Sequence, residues 1–282
     1  MGVALFVLWA SSALSSPIFD GGPEVVRELV PATGVARAKS RTIYLNRHGA
    51  TLRPGVNDAR TNGSTIVTQP TTMAGWETTD QTWAATVACM RETWSRFDLA
   101  FTEVDPGSTP HMEALFGGSP TDIGRPLNIA GIAPMAVDCS IVENAIVFAF
   151  MDTLPNDAQL ACEVMSQELG HAYGLDHVML AGDPMSYLPF TGKKTFQETA
   201  AACGEKTARP CGHGATSCRA AQSSVHILVE RIGAAGVDDD DGTVEPGDPA
   251  SGDEPMPFGC SAGGTPGVGI ALGLLALRRR RR

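Results

Sequence analysis

The stretch Gln167-Glu168-Leu169-Gly170-His171-Ala172-Tyr173-Gly174-Leu175-Asp176-His177, followed by Asp183-Pro184-Met185-Ser186-Tyr187, decides how the chain is read. Positions 167 and 171 are one helical turn apart, so their side chains leave the same face and can meet one ion. Glu168 stands beside them, able to reach a water at that ion without being a ligand. Gly174 permits the left-handed conformation that ends a helix sharply. The chain can then swing back and deliver His177 as a third ligand. Three protein ligands leave a fourth position for water, which zinc acidifies to a pKa of roughly 7. Glu168 would take that proton and later pass it to a leaving amine. A plainer reading makes His171 and His177 ordinary helix and loop histidines and Glu168 a surface carboxylate. Gly174, Met185 and Tyr187 at their spacings argue for the site.

Around this stretch, 282 residues with 43% hydrophobic content can bury a sizeable core. A net charge of -10 with no basic stripe before the last residues excludes nucleic acid as a partner. Of the 7 cysteines, Cys89, Cys139, Cys162, Cys203, Cys211 and Cys218 are central and Cys260 stands apart. Without a C-x-x-C pair they read as up to three disulfides plus one odd cysteine, and hence as an exported protein. A local bridge within the Cys203–Cys218 segment is the preferred pairing, and Cys139–Cys162 is a further one.

Residues 1–16, an apolar run ending in Ser and Ala, read as a secretory signal, and 17–40 as an extended lead-in. A strand is expected over 41–46, then a helix from about Gln81 to Arg96 capped at Thr79-Asp80, with Trp83, Val87, Met90 and Trp94 inward. Further strands are expected over 97–104, 129–137 and 141–151. A last helix should run from about Ala220 to Ile232, with Val225, Leu228, Val229 and Ile232 on one face. From 237 to 257 acidic residues, Pro and Gly make a solvated linker.

Glu168, His171, Gly174, His177 and Met185 are similar in order and spacing to the metzincin zinc proteases, H-E-x-x-H-x-x-G-x-x-H with a Met-turn. The detailed match covers about twenty residues, and the order of elements extends it loosely over 41–232. The resemblance implies an α+β fold. A mixed β-sheet with long helices would form an N-terminal subdomain, and a small irregular C-terminal subdomain would follow the active-site helix. It implies a zinc endopeptidase acting on protein or peptide substrates, with metal at His171, His177 and Gln167. Glu168 would be the general base, and Tyr187, as in astacin- and serralysin-like members, would assist. Met185 would lie beneath the metal without binding it. A cysteine latency device is excluded, because no cysteine precedes Cys89.

Gln167 stands where the pattern has its first histidine. An amide oxygen is a neutral, hard donor, better suited to calcium than to zinc. It can ligate through that oxygen, another histidine (His48, His111 or His213) can replace it, or the domain can be a non-catalytic binding module with a lost or altered metal. Finally, Phe258-Gly259-Cys260-Ser261, an apolar run to Leu277 and Arg278–Arg282 resemble the myxobacterial sorting tail known as MYXO-CTERM. That implies membrane or cell-surface association. An ordinary tail anchor is the alternative.

Overall fold

The computed structural model describes residues 22–213 and 216–236. The expected signal segment, the acidic linker and the apolar tail with Cys260 lie outside the described residues. In chain order the strands are β1 (Glu24–Val30), β2 (Thr42–Asn46), β3 (Gly49–Pro54), β4 (Gly63–Ser64) and β5 (Thr71–Ala74), followed by helix α1 (Asp80–Thr93). Then come β6 (Ala100–Thr102), β7 (Met112–Phe116), β8 (Ile129–Ala136) and β9 (Ile146–Ala149). Helix α2 (Ala158–Ala172), strands β10 (Cys211–His213) and β11 (Thr216–Arg219), and helix α3 (Ser224–Ile232) complete the order.

The fold is α+β on a mixed six-stranded sheet ordered β1-β8-β9-β7-β2-β6. Strands β6, β2, β7 and β9 pair in parallel, β8 runs antiparallel to β9, and β1 lies parallel to β8 on its outer side. The central strands are buried on both faces, which explains their near-continuous apolar sequence. Alternate residues of β9 serve two core layers. Val147 and Ala149 join α1 and α2, whereas Ile146 and Phe148 join Leu52 and Met73 of the small β4-β3-β5 sheet.

Both long helices begin at side-chain caps: Thr79 Oγ1 accepts from the Thr82 amide, and Asp157 Oδ1 from the Leu160 amide. Trp83, Val87 and Met90 of α1, with Trp94 just beyond it, are buried. In α2 every residue from Leu160 to Ala172 is buried, so it threads the core and carries no exposed stripe. In α3, capped by Ser223, Val225, Leu228 and Ile232 are buried.

Several expectations change. The lead-in contains β1, a full strand of the main sheet. The strand expected over 97–104 shortens to Ala100–Thr102, because Phe97 turns into the core beside Trp94. Strand β7, with Glu113 as its second residue, is an addition. Three disulfides form: Cys89–Cys162, Cys139–Cys218 and Cys203–Cys211. The last is a local bridge within Cys203–Cys218 as expected, whereas the Cys139–Cys162 pair is not formed. Cys162 is taken by Cys89 where α1 packs on α2, and Cys218 by Cys139, which leaves Cys203 to Cys211 across a tight loop. No helix among the described residues is long and apolar enough to cross a membrane.

Candidate metal centre

The last turn of α2 and the loop after it build the site. The helix ends at Tyr173. Gly174 then takes a φ of 78°, while its amide bonds to the His171 carbonyl and the Leu175 amide to that of Gly170. A side chain at Gly174 would collide with the Cys139 carbonyl and the Arg231 guanidinium, so the reversal needs glycine. The turn returns His177 to His171, and their Nε2 atoms face each other at 2.9 Å.

The partners of their outer nitrogens bear on which tautomers these rings hold. His171 Nδ1 lies 2.9 Å from the Leu175 carbonyl, which can only accept, so Nδ1 carries the proton. His177 Nδ1 lies 2.8 Å from Glu205 Oε1, which accepts its proton in one tautomer, and 2.9 Å from Arg27 Nη1, which donates to it in the other. Arg27 Nη1 also donates to Glu205 Oε1 at 3.0 Å. In the first tautomer both Nε2 lone pairs point at each other; in the second His177 Nε2 donates to His171 Nε2.

The first arrangement requires a positive charge between the rings. A proton is poorly suited to supply it. Burial and then the neighbouring His177 push His171 well below the usual histidine range, and burial lowers His177 despite the opposing Glu205 hydrogen bond. A metal cation suits the geometry better: two ring nitrogens sharing one ion at ~2.0–2.1 Å stand roughly 3 Å apart.

Glu168 points the same way. It is fully buried, neither carboxylate oxygen has a hydrogen-bond partner, and burial raises its pKa well above the carboxylate range. A charged carboxylate in such a place needs a cation. Room for it comes from Gly131 of β8, where any side chain would strike Glu168 Oε1. Beneath, a side chain at Gly170 would strike Met185 Sδ, so Met185 packs on the helix that carries Glu168 and His171. The Asp183 carboxylate holds the Met185 amide at 2.9 Å and closes that turn. The Tyr187 ring lies 4.4 Å from that of His177, and its hydroxyl is pushed above the tyrosine range by burial and then by Glu168.

The structure thus brings together Glu168, His171, His177, Met185 and Tyr187. Gln167 is buried one turn before His171, and its amide nitrogen has no partner. The other histidines sit elsewhere. His48 lines a cleft with Arg47, Trp76 and Asp80, and His111 bonds the Thr109 carbonyl and packs edge-on to Tyr44. His213 is in β10, with its side chain outside the described set.

The sequence reading missed the ring of charge behind His177. Asp176, fully buried, accepts from Arg209 and from the Gly212 amide at 2.8 Å, and lies 3.3 Å from Arg27. Burial alone would raise its pKa, but these partners hold it below the usual value. Glu205 accepts from His177, Arg209 and Arg27 and is held far below the carboxylate range, first by the His177 hydrogen bond. Asp176, His177 and Glu205 are close enough to hold an ion. Two guanidinium groups already occupy both carboxylates, so the cluster orients His177 and offers no second cation site. Asp176 lies inside the quoted motif, whereas nothing in the spacing of Arg27, Glu205 or Arg209 marks them. Neither protein-family models nor curated proteins give a match to this chain.

Proposed function

We propose that the chain is an exported zinc-dependent endopeptidase of metzincin type, associated with the cell surface through its C-terminal tail. The observation that carries this reading is the pair of facing Nε2 atoms, 2.9 Å apart, beside a buried Glu168 whose carboxylate oxygens have no hydrogen-bond partner. His171 and His177 would hold zinc, with the Gln167 amide oxygen as third ligand. The zinc would supply Lewis acidity for attack on a peptide carbonyl. Glu168 would accept a proton at its carboxylate from the attacking water and return it to the leaving amine. Tyr187, neutral because its hydroxyl titrates high, would donate a hydrogen bond to the developing oxyanion. Glu205, by accepting the Nδ1 proton, would hold His177 in the tautomer with Nε2 free, a role typical of carboxylates behind ligating histidines.

The test is metal content. Purified chain should carry about one zinc and lose it in the His171→Ala variant. Protein that is metal-free and takes up no zinc on dialysis overturns the reading. Gln167 favours a second reading, a non-catalytic binding module on the same scaffold, because its amide nitrogen finds no partner. A Gln167→His variant that binds zinc where the natural chain does not would support that second reading.

A further inference from the structure

Two successive lysines follow Gly192. Lys193 stays at the surface, paired with Glu92 of α1, whereas Lys194 is only 2% exposed. An ammonium group is costly to bury unless it is paired and hydrogen-bonded, so its partners carry information. Lys194 Nζ donates to the Ser186 carbonyl at 2.6 Å. Burial lowers its pKa to about 8 against the pull of Glu163 and then Asp183, so at neutral pH it remains a cation. Glu163 lies on α2 one helical turn before Gln167, and Asp183 opens the Met185 turn. Through its charge the ammonium therefore joins the helix of the metal centre to the turn that carries Tyr187.

The segment bearing Lys194 is itself fixed. The Phe196 ring packs 4.7 Å from that of Trp94 and 5.6 Å from that of Phe97. The Thr195 amide donates to the Gly182 carbonyl at 2.9 Å, and the Gln197 amide to Asp183 Oδ2 at 2.9 Å. Lys194 thus reaches the turn from a rigid base. The Ser186 carbonyl that it grips and the Tyr187 amide belong to one peptide plane. The Asp183 carboxylate already fixes the Met185 amide. The bond from Lys194 fixes the next plane but one, from which the Tyr187 side chain departs.

We propose that Lys194 is a positioning residue, whose buried ammonium holds the Ser186–Tyr187 peptide and so aims the Tyr187 side chain at the metal centre. This rests on the endopeptidase reading above, in which Tyr187 donates to the developing oxyanion. A hydrogen bond from a charged donor is roughly twice as strong as a neutral one, which suits a bond that must hold a main-chain plane. A group displaced by ~1 Å from its working geometry loses about a hundredfold in rate. The oxyanion exists only in the transition state, so the loss falls on kcat and leaves KM nearly unchanged.

The experiment is a double-mutant cycle in the full chain between Lys194→Met and Tyr187→Phe, read by hydrolysis of fluorescein-labelled casein, zinc content and hydrogen–deuterium exchange. Lys194→Met alone should lower kcat about a hundredfold with KM and zinc content within twofold of natural. In the Tyr187→Phe background the same substitution should change kcat less than twofold, because the group it positions is gone. Exchange over Met185–Leu188 should rise at least tenfold while that of Ala158–Ala172 stays as it was. A natural kcat in Lys194→Met, or an equal fall in both backgrounds, overturns the proposal. Natural protein without Glu168-dependent hydrolysis overturns the endopeptidase reading instead, and exchange then decides. Acceleration confined to Met185–Leu188 supports Lys194 as the anchor of Tyr187, and unchanged exchange overturns it. If Lys194→Met does not fold, Lys194→Gln, which can still donate to the Ser186 carbonyl, takes its place in the cycle. A severalfold loss of kcat that vanishes beside Tyr187→Phe supports the proposal, and no loss or an equal loss in both backgrounds overturns it.

Discussion

Glu205 stands 28 residues beyond His177, yet its carboxylate sets what that histidine can do. It lies 2.8 Å from Nδ1 and is itself held by Arg209 at 2.7 Å and Arg27 at 3.0 Å, so it is fixed where it accepts the Nδ1 proton of the tautomer that leaves Nε2 free for a metal. Losing such a partner ordinarily lowers metal affinity 10–100-fold. Glu205→Ala should show that loss in zinc competition against a chelator of known affinity. Glu205→Gln, which keeps an acceptor, should lose less than tenfold. An Ala variant that binds zinc as tightly as the natural protein would remove this role. Gly170 makes a second prediction at this scale. Replacing a helical glycine by alanine normally stabilises by up to ~1 kcal/mol. Here the new methyl would meet Met185 Sδ. Overpacking of that kind costs about 1–3 kcal/mol. Gly170→Ala should therefore lower the urea midpoint, and a rise would show that Met185 can move aside. The residues of the site motif were legible because a helical turn and a glycine reversal have fixed spacings. Arg27, Glu205 and Arg209 were not, because salt bridges across a fold leave no spacing to read.

Strand β7 shows why some elements escape the sequence. Met112-Glu113-Ala114-Leu115-Phe116 is buried throughout, so it lacks the alternation of a half-exposed strand, and its glutamate argues against a core position. The glutamate is tolerated because Asn46 Nδ2 donates to Glu113 Oε1 at 2.6 Å and because burial raises its pKa to about 7. Neutral below that value, it behaves as a polar core residue. The strand expected over 129–137 and the helix capped at Thr79 were readable, since apolar runs and capping residues act locally, whereas the strand expected over 141–151 shortens to Ile146–Ala149. β1 was not, since its two buried valines give no pattern and its pairing partner lies about a hundred residues away. The raised pKa of Glu113 has a testable consequence. Its folded-state value lies above the ordinary 4.5, so the folded chain binds the extra proton between pH 4.5 and 7. Its contribution is complete below pH 4.5 and is lost as pH rises through 7. The shift corresponds to about 3 kcal/mol as an order of magnitude. Glu113→Gln retains an acceptor for Asn46 and cannot ionise. Its unfolding free energy should exceed that of the natural protein at pH 8 and converge with it near pH 4.5. A constant difference across that range would mean Glu113 does not titrate as the buried position implies.

At the scale of the molecule, the three disulfides hold the parts of the site to one another. Cys89–Cys162 joins α1 to α2, the helix that carries Glu168 and His171. Cys139–Cys218 ties the turn after β8 to β11, so the segment that supplies Glu205 and Arg209 is fastened to the sheet edge beside β1. Cys203–Cys211 closes only the short loop bearing those two residues. Six cysteines permit 15 pairings, and only the packing of α1 on α2 and of the hairpin on the β8 turn selects among them. The separations, 79 residues for Cys139–Cys218 and 8 for Cys203–Cys211, set unequal contributions to stability. Loop-closure entropy gives roughly 4–5 kcal/mol for the long bridge and 2–3 kcal/mol for the short one. The function should divide the other way. The Cys203→Ala/Cys211→Ala double variant frees the loop that positions Glu205, so it should lose zinc affinity with a modest fall in melting temperature. Cys139→Ala/Cys218→Ala should lower the melting temperature further, while the zinc affinity of its folded fraction stays closer to natural. Melting curves together with chelator competition on both variants decide this. If the two properties fall in parallel, the loop is held by its ion pairs with Arg27 and Asp176, and the short bridge adds stability alone.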